Sequence, residues 1–162
     1  MNTNETAVNT TVITKTELLA HWQGHRALTR RVIEVFPEDE FFDFKIGEMR
    51  TFSAIVKELL AIAGPGIKEI VTGKTSPMEE DLALKTKADF LKLWDETTEV
   101  LNELFPTIAD QDFHKTIKTF GQYDGTVISS IFYFIDNEIH HRGQGYVYLR
   151  SLGIEPPYFW ER

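Results

Sequence analysis

Apolar residues recur along this chain at helical intervals in four long segments. From Thr14, Leu18, Trp22, His25, Val32 and Phe36 follow at steps of three, four or seven, with Leu19, Leu28 and Val35 beside them, the spacing of one buried helix face. Pro37 ends this helix. Three phenylalanines, Phe41, Phe42 and Phe44, sit among acids in a connection too short for another long helix, and are expected to plug one end of the fold. A second helix is predicted from about Gly47, with Phe52, Ile55, Val56, Leu59, Leu60 and Ala63 on its apolar face. Gly64-Pro65-Gly66 should interrupt or kink it before Thr72-Gly73-Lys74.

Ser76-Pro77-Met78-Glu79 matches a capping box with proline at the first helical position, which predicts a third helix from there. Leu84, Leu91, Trp94, Thr98, Leu101 and Phe105 form its seam, and Pro106 stops it. Ala109 to Asp124 reads as a long polar surface connection. The last helix is predicted from near Asp124 to about Leu152, ended by Gly153, with Ile128, Ile131, Ile135, Ile139 and Tyr146 as its main apolar line. The tail through Tyr158, Phe159 and Trp160 should pack back on the helices, because exposed aromatics cost solubility. Four long helices without a convincing alternating strand predict an all-α antiparallel four-helix bundle over residues 13–162, behind a loose Asn/Thr-rich arm at residues 1–12.

Composition narrows the function classes. The chain has 162 residues, 42% hydrophobic and 26% charged, with a formal net charge of -8 and no cysteine. The acidic balance and interspersed basic residues argue against nucleic acid as a partner. Without cysteine, any metal must be held by histidine, carboxylate or amide. Residues 1–12 lack the pattern of a signal peptide, and no run of about 18 apolar residues occurs, so the expectation is a cytoplasmic protein with no membrane partner.

In bundles, sites form where polar residues break into apolar stripes. The densest such block is Asn137-Glu138-Ile139-His140-His141-Arg142-Gly143-Gln144, directly behind the apolar run Val127 to Ile135. His141 falls in register with Phe134 and Tyr148 and four residues after Asn137, so it is expected to look into a helix contact. His140 points to the far side, towards solvent or a subunit contact. Asn137 and His141 share a face, yet an amide is a weak ligand for borderline metals, and a hydrogen-bonded couple lining a polar pocket is an equal alternative.

His21 and His25 repeat the four-residue spacing, but Trp22 and Leu18 flank His25 on the core stripe, which favours a satisfied core histidine over a ligand. His114 has no evident partner. Arg142 lines up with the apolar stripe, and Glu138 four residues before it makes a partly buried ion pair the stronger reading. Gly143 and Gly145 thin the helix for a close approach. Serine-nucleophile, Walker and dinucleotide-binding signatures are missing.

Taken together, Met49-Arg50-Thr51-Phe52, Glu138-Ile139-His140-His141-Arg142-Gly143-Gln144 and Tyr148-Leu149-Arg150-Ser151-Leu152-Gly153-Ile154-Glu155-Pro156-Pro157 give a chain that resembles the DinB-like (damage-inducible, YfiT-like) superfamily over nearly its whole length. The resemblance implies an antiparallel four-helix bundle, commonly a homodimer, with a divalent metal held by three histidines. One comes from the second helix and two from a His-x-x-x-His pair on the last. Carried over, the positions are Glu58, Asn137 and His141, and only His141 keeps the family residue.

Two oxygens and one nitrogen make a harder set than three imidazoles, so affinity for zinc or nickel, with manganese ranked below them, should fall. Two functions follow from the resemblance. One is a metal-dependent enzyme, resembling thiol S-transferases or hydrolases, that activates a low-molecular-weight thiol or water. There Glu58, Asn137 and His141 would be ligands, with His25, Trp22, His140, Arg142 and Tyr148 as pocket or secondary candidates. The other is a metal-poor member that binds a small molecule or acts as an interaction bundle. The family's stress-response association reflects how a member is induced, not DNA binding.

Overall fold

Thr14 and Glu17 open the first helix by capping each other, the threonine hydroxyl accepting the Glu17 N–H and the glutamate accepting the Thr14 N–H. Donors that a helix start leaves free are thereby satisfied. In the computed structural model, which describes residues 11–78 and 80–162, this helix is α1, Lys15–Val35. It is followed by the short α2, Glu38–Asp43, then α3, Phe52–Thr72, α4, Lys87–Leu104, and α5, Val127–Ser151. The long helices form an all-α antiparallel four-helix bundle in which α1 and α3 each pack against both α4 and α5. Residues 1–10 of the expected arm lie outside the described residues.

Several boundaries differ from the sequence expectation. The second long helix begins at Phe52 rather than Gly47, because Thr51 is its cap and accepts the Ala54 N–H. Gly64-Pro65-Gly66 does not break it: α3 runs through Pro65. Packing on both sides holds that turn. A Cβ on Gly64 would lie 3.0 Å from the Thr97 methyl, and one on Gly66 2.5 Å from the Phe134 ring.

Ser76 to Met78 start no helix, and Glu79 lies outside the described residues. The Ser76 N–H instead donates to the buried Glu69 carboxylate at 2.8 Å. The working capping box is Thr86 with Asp89, so Leu84 precedes α4, and the buried face of that helix is Phe90, Trp94, Thr97 and Leu101.

The expected polar connection before α5 contains structure of its own. A 3₁₀ turn at Asp110–His114 leads into β1, Thr116–Thr119, which pairs antiparallel with β2, Tyr123–Thr126. The turn between them places Phe120 at φ 54, and Glu69 accepts its N–H at 2.9 Å. Glu69 therefore ties both this turn and the segment after α3 to the bundle.

At the ends, outcomes are mixed. Phe41 is fully buried against Phe36, Phe52 and Phe90, the plug expected of that segment. Gly153, at φ 75, ends α5 in a reverse turn with Ile154 N–H donating to Leu149 O, as glycine permits. The tail returns to α1, where Arg31 binds Glu161 and Arg162 reaches His25, but Tyr158, Phe159 and Trp160 remain 50%, 65% and 61% exposed. The backbone docks without burying the rings.

Two apolar cores result. One is built around Trp22, Ile67, Leu101 and Phe134, the other around Val32, Phe52, Trp94 and Leu149. Between them α1 contributes His25, Arg26 and Thr29, and α5 contributes Glu138 and Arg142, all buried. Ile139, expected on the apolar line of α5, is 36% exposed, and Glu138 takes the inward position. No helix among the described residues is long and apolar enough to cross a membrane.

Candidate functional site

Glu58 on α3 faces α5, where Asn137 and His141 lie one turn apart. Its Oε1 is 2.9 Å from His141 Nε2 and accepts from Asn137 Nδ2 at 3.4 Å. Its Oε2 takes Nη2 of Arg50, which precedes α3. The other nitrogen of His141, Nδ1, lies 2.8 Å from the Gln144 amide. The His141 ring is thus held at both nitrogens, by the Glu58 carboxylate on one side and the Gln144 amide oxygen on the other.

The three positions expected from the family resemblance therefore do meet. Two members of the cluster were not foreseen as such. Arg50 belongs to the motif opening α3 without a role assigned to it, and Gln144 closes the polar block on α5. Tyr133, four residues before Asn137 on the same face of α5, lies near enough to feel the Glu58 charge, a spacing that could have identified it.

The electrostatics favour an ionised carboxylate. Burial pushes Glu58 upwards, yet hydrogen bonds from Arg50 and His141 together with their charge hold it below the ordinary carboxylate value. The Tyr133 hydroxyl is pushed up by burial, by the Glu58 charge and by Tyr123. Both Glu58 oxygens and both His141 nitrogens already have protein partners, and one of those partners is a guanidinium.

This donor set fits a divalent cation poorly. A metal would have to displace the His141–Glu58 hydrogen bond and tolerate Arg50 beside it, while gaining one imidazole, one shared carboxylate and a weak amide. Among the described residues, no three His, Cys, Asp or Glu side chains converge as metal ligands.

The secondary candidates separate. His140 is exposed, its ring edge-on to His141 with centroids 5.0 Å apart. Tyr148 is buried beneath the cluster and donates from its hydroxyl to Arg50 O at 2.7 Å, so it positions the Arg50 backbone. Trp22, His25 and Arg142 do not line this site. Trp22 belongs to the first apolar core, and His25 and Arg142 to the mid-bundle polar layer, because the helical turn that points His141 at α3 points Arg142 at α1.

In that layer Glu138 Oε1 accepts from Thr29 Oγ1 at 2.7 Å, and its other oxygen lies 3.6 Å from Arg26 Nη1. The expected Glu138–Arg142 pair is present at 4.0 Å, but Arg142 is held more closely by Thr29, His25 O and His25 Nδ1. Burial first, then Arg142, His21 and Arg162, push His25 down to about 3. It is a neutral structural histidine, not an acid or base for chemistry near pH 7.

Comparisons with known proteins agree with this fold. The family model described as the DinB family matches residues 1–161. The uncharacterized protein YjoA of Bacillus subtilis is 22% identical over 151 residues, covering 90% of this chain and 96% of that protein. Its crystal structure, a DinB-like protein, superposes with a TM-score of 0.73 at 21% identity, over 90% of this chain and 99% of the other. A DinB-like protein from Bacillus cereus gives 0.71 at 16% identity, over 90% and 97%. A mutant of a mycothiol-dependent maleylpyruvate isomerase gives 0.60 at 13% identity, over 80% and 60%.

Proposed function

The chain belongs to the DinB family, and we propose that it is a member in which the family's metal position has become a metal-independent polar site for a small molecule. The observation that carries this reading is the Arg50–Glu58–His141 arrangement: the carboxylate is neutralised by a guanidinium and an imidazole of the protein itself. Such charge-assisted pairing supplies what a dication would otherwise supply, and a cation next to Arg50 would be repelled. Arg50 is 45% exposed, so one face of the cluster is open to ligand.

The metal-dependent thiol reading, suggested by the fold likeness to the mycothiol-dependent isomerase, would require Glu58 to leave both partners. Elemental analysis of untagged protein, followed by thermal shift with zinc, nickel and manganese, separates the two. The expected result is substoichiometric metal and no stabilisation beyond a chelator-treated control. Stoichiometric metal lost in Glu58→Gln would overturn the proposal. The double variant Glu58→His/Asn137→His, which rebuilds three imidazoles with His141, serves as the positive control for zinc.

A homodimer is part of the same proposal. Phe132, Ile139 and Val147 stand 41%, 36% and 54% exposed along one side of α5, and Gly143 between them has nothing within 4 Å of its Cβ position. Light scattering of wild type and Val147→Glu would test it, with a monomeric wild type as the contrary outcome.

A further inference from the structure

Beside the Glu58 cluster, the β-hairpin and α5 enclose a cavity of about 190 Å³. Four aromatic side chains line it: Phe120, Tyr123, Tyr133 and Phe134. Its lining also takes in Asp124, whose side chain is largely exposed and pairs with Lys118 at 3.9 Å, and the mutually hydrogen-bonded hydroxyls of Thr119 and Ser130, 2.8 Å apart. Among the described residues no lysine, arginine or histidine lines it.

We propose that this cavity is a binding site for a small organic cation with an apolar body, of the quaternary ammonium or alkylammonium class. Aromatic rings attract such cations through their negative faces, and a lining that offers hydroxyls but no basic side chain adds to that preference. The volume is below the range of roughly 300–1,000 Å³ that encloses drug-sized ligands, so it suits a head group.

The cavity is a built feature. Phe120 adopts φ 54, a backbone conformation disfavoured for a residue with a Cβ, and the 7%-exposed Glu69 holds it there through the Phe120 N–H. Non-glycine residues held in this region concentrate at ligand clamps and similar sites. With Phe120 so placed, its ring lies 6.2 Å from that of Phe134 at the inner end of the cavity, while Tyr123 and Tyr133, 56% and 54% exposed, stand at the rim.

This inference rests on the metal-independent reading, because a dication at Glu58 would repel an organic cation bound beside Tyr133. The test is titration calorimetry of chelator-treated protein at low ionic strength, in a buffer without organic cations. Probes are choline, its neutral isostere 3,3-dimethylbutan-1-ol, benzyltrimethylammonium and benzoate. Saturable binding of the two cations is expected, at least tenfold tighter than of the isostere or benzoate. It should be retained in Tyr133→Phe and weakened about tenfold in Tyr133→Leu, a rim substitution whose folding is checked by circular dichroism.

Equal affinity for the neutral isostere, preference for benzoate, no saturable binding of either cation, or binding unchanged in Tyr133→Leu would each overturn it. Because the titration is run on metal-free protein, a failure there counts against the cation site alone. Failure of the metal-independent reading shows separately, in the elemental analysis.

Discussion

Glu58 and His141, 83 residues apart in sequence, meet with Oε1 and Nε2 2.9 Å apart. The contact joins α3 to α5 with an ionised carboxylate between an imidazole and a guanidinium. Glu58→Gln keeps the shape but loses the charge-assisted bonds, and is expected to cost about 1–2 kcal/mol near neutral pH. The folded-state value of Glu58 is depressed below its ordinary 4.5. Its stabilisation is therefore present above 4.5 and lost as pH falls through the folded value. Urea denaturation should show the gap between wild type and variant narrowing below pH 4.5, and a gap that stays constant into acid would contradict this origin.

His25 carries a separate acid sensitivity. It stays neutral in the fold down to about 3, whereas the unfolded chain protonates it near 6.5. Between those values the unfolded state binds more protons, so stability contributed above 6.5 is progressively lost as pH falls through the window. The expected slope from this residue approaches about 1.4 kcal/mol per pH unit. His25→Gln removes that slope, and the difference between denaturation free energies of wild type and variant should shrink by that amount per unit below about pH 6.

Gly145 and Gly143 make a paired test. A Cβ at Gly145 would lie 2.5 Å from the Phe52 ring, inside the core shared by α3 and α5, while one at Gly143 would meet nothing within 4 Å. Gly145→Ala is expected to destabilise by about 1–3 kcal/mol through overpacking. Gly143→Ala should stabilise by up to about 1 kcal/mol through helix propensity, or be neutral. Calorimetric melting of the two variants checks the opposite signs.

The mid-bundle layer predicts a strong dependence on Glu138. Its carboxylate is 1% exposed and lies within 4.0 Å of Arg26 and Arg142, both buried. Glu138→Ala leaves two guanidinium groups without their counter-charge and should cost about 3–5 kcal/mol in chemical denaturation. Glu138→Gln, which still accepts from Thr29, is expected to cost clearly less. Equal losses would show that packing, not charge, dominates there.

Much of the bundle is legible in the linear pattern because the long helices announce themselves by spacing. Leu18 to Phe36 and Trp94 to Phe105 step as buried faces must, and Gly153 stops the last helix as a residue free to adopt positive φ can. Where local signals mislead, tertiary contacts win. The Ser76 backbone is taken by Glu69, so the real cap moves to Thr86. Pro65 sits inside α3 because Gly64 and Gly66 are held by Thr97 and Phe134. The hairpin at 116–126 has strands of only four residues each, too short for alternation to stand out from polar background.

The candidate site divides in the same way. By itself the sequence determines that Asn137 and His141 share a helix face, that Glu138 and Arg142 share another, and that no cysteine is available to any metal. It also carries the motifs of the family. Only the tertiary structure decides that Arg50 comes to Glu58, that His25 and Arg142 form an internal layer remote in role from His141, and that Tyr133 connects the polar cluster to an aromatic cavity. The physical reason is that helical spacing specifies which side chains point the same way. What they point at depends on the neighbouring helices, and there charge and packing across the interface set the chemistry.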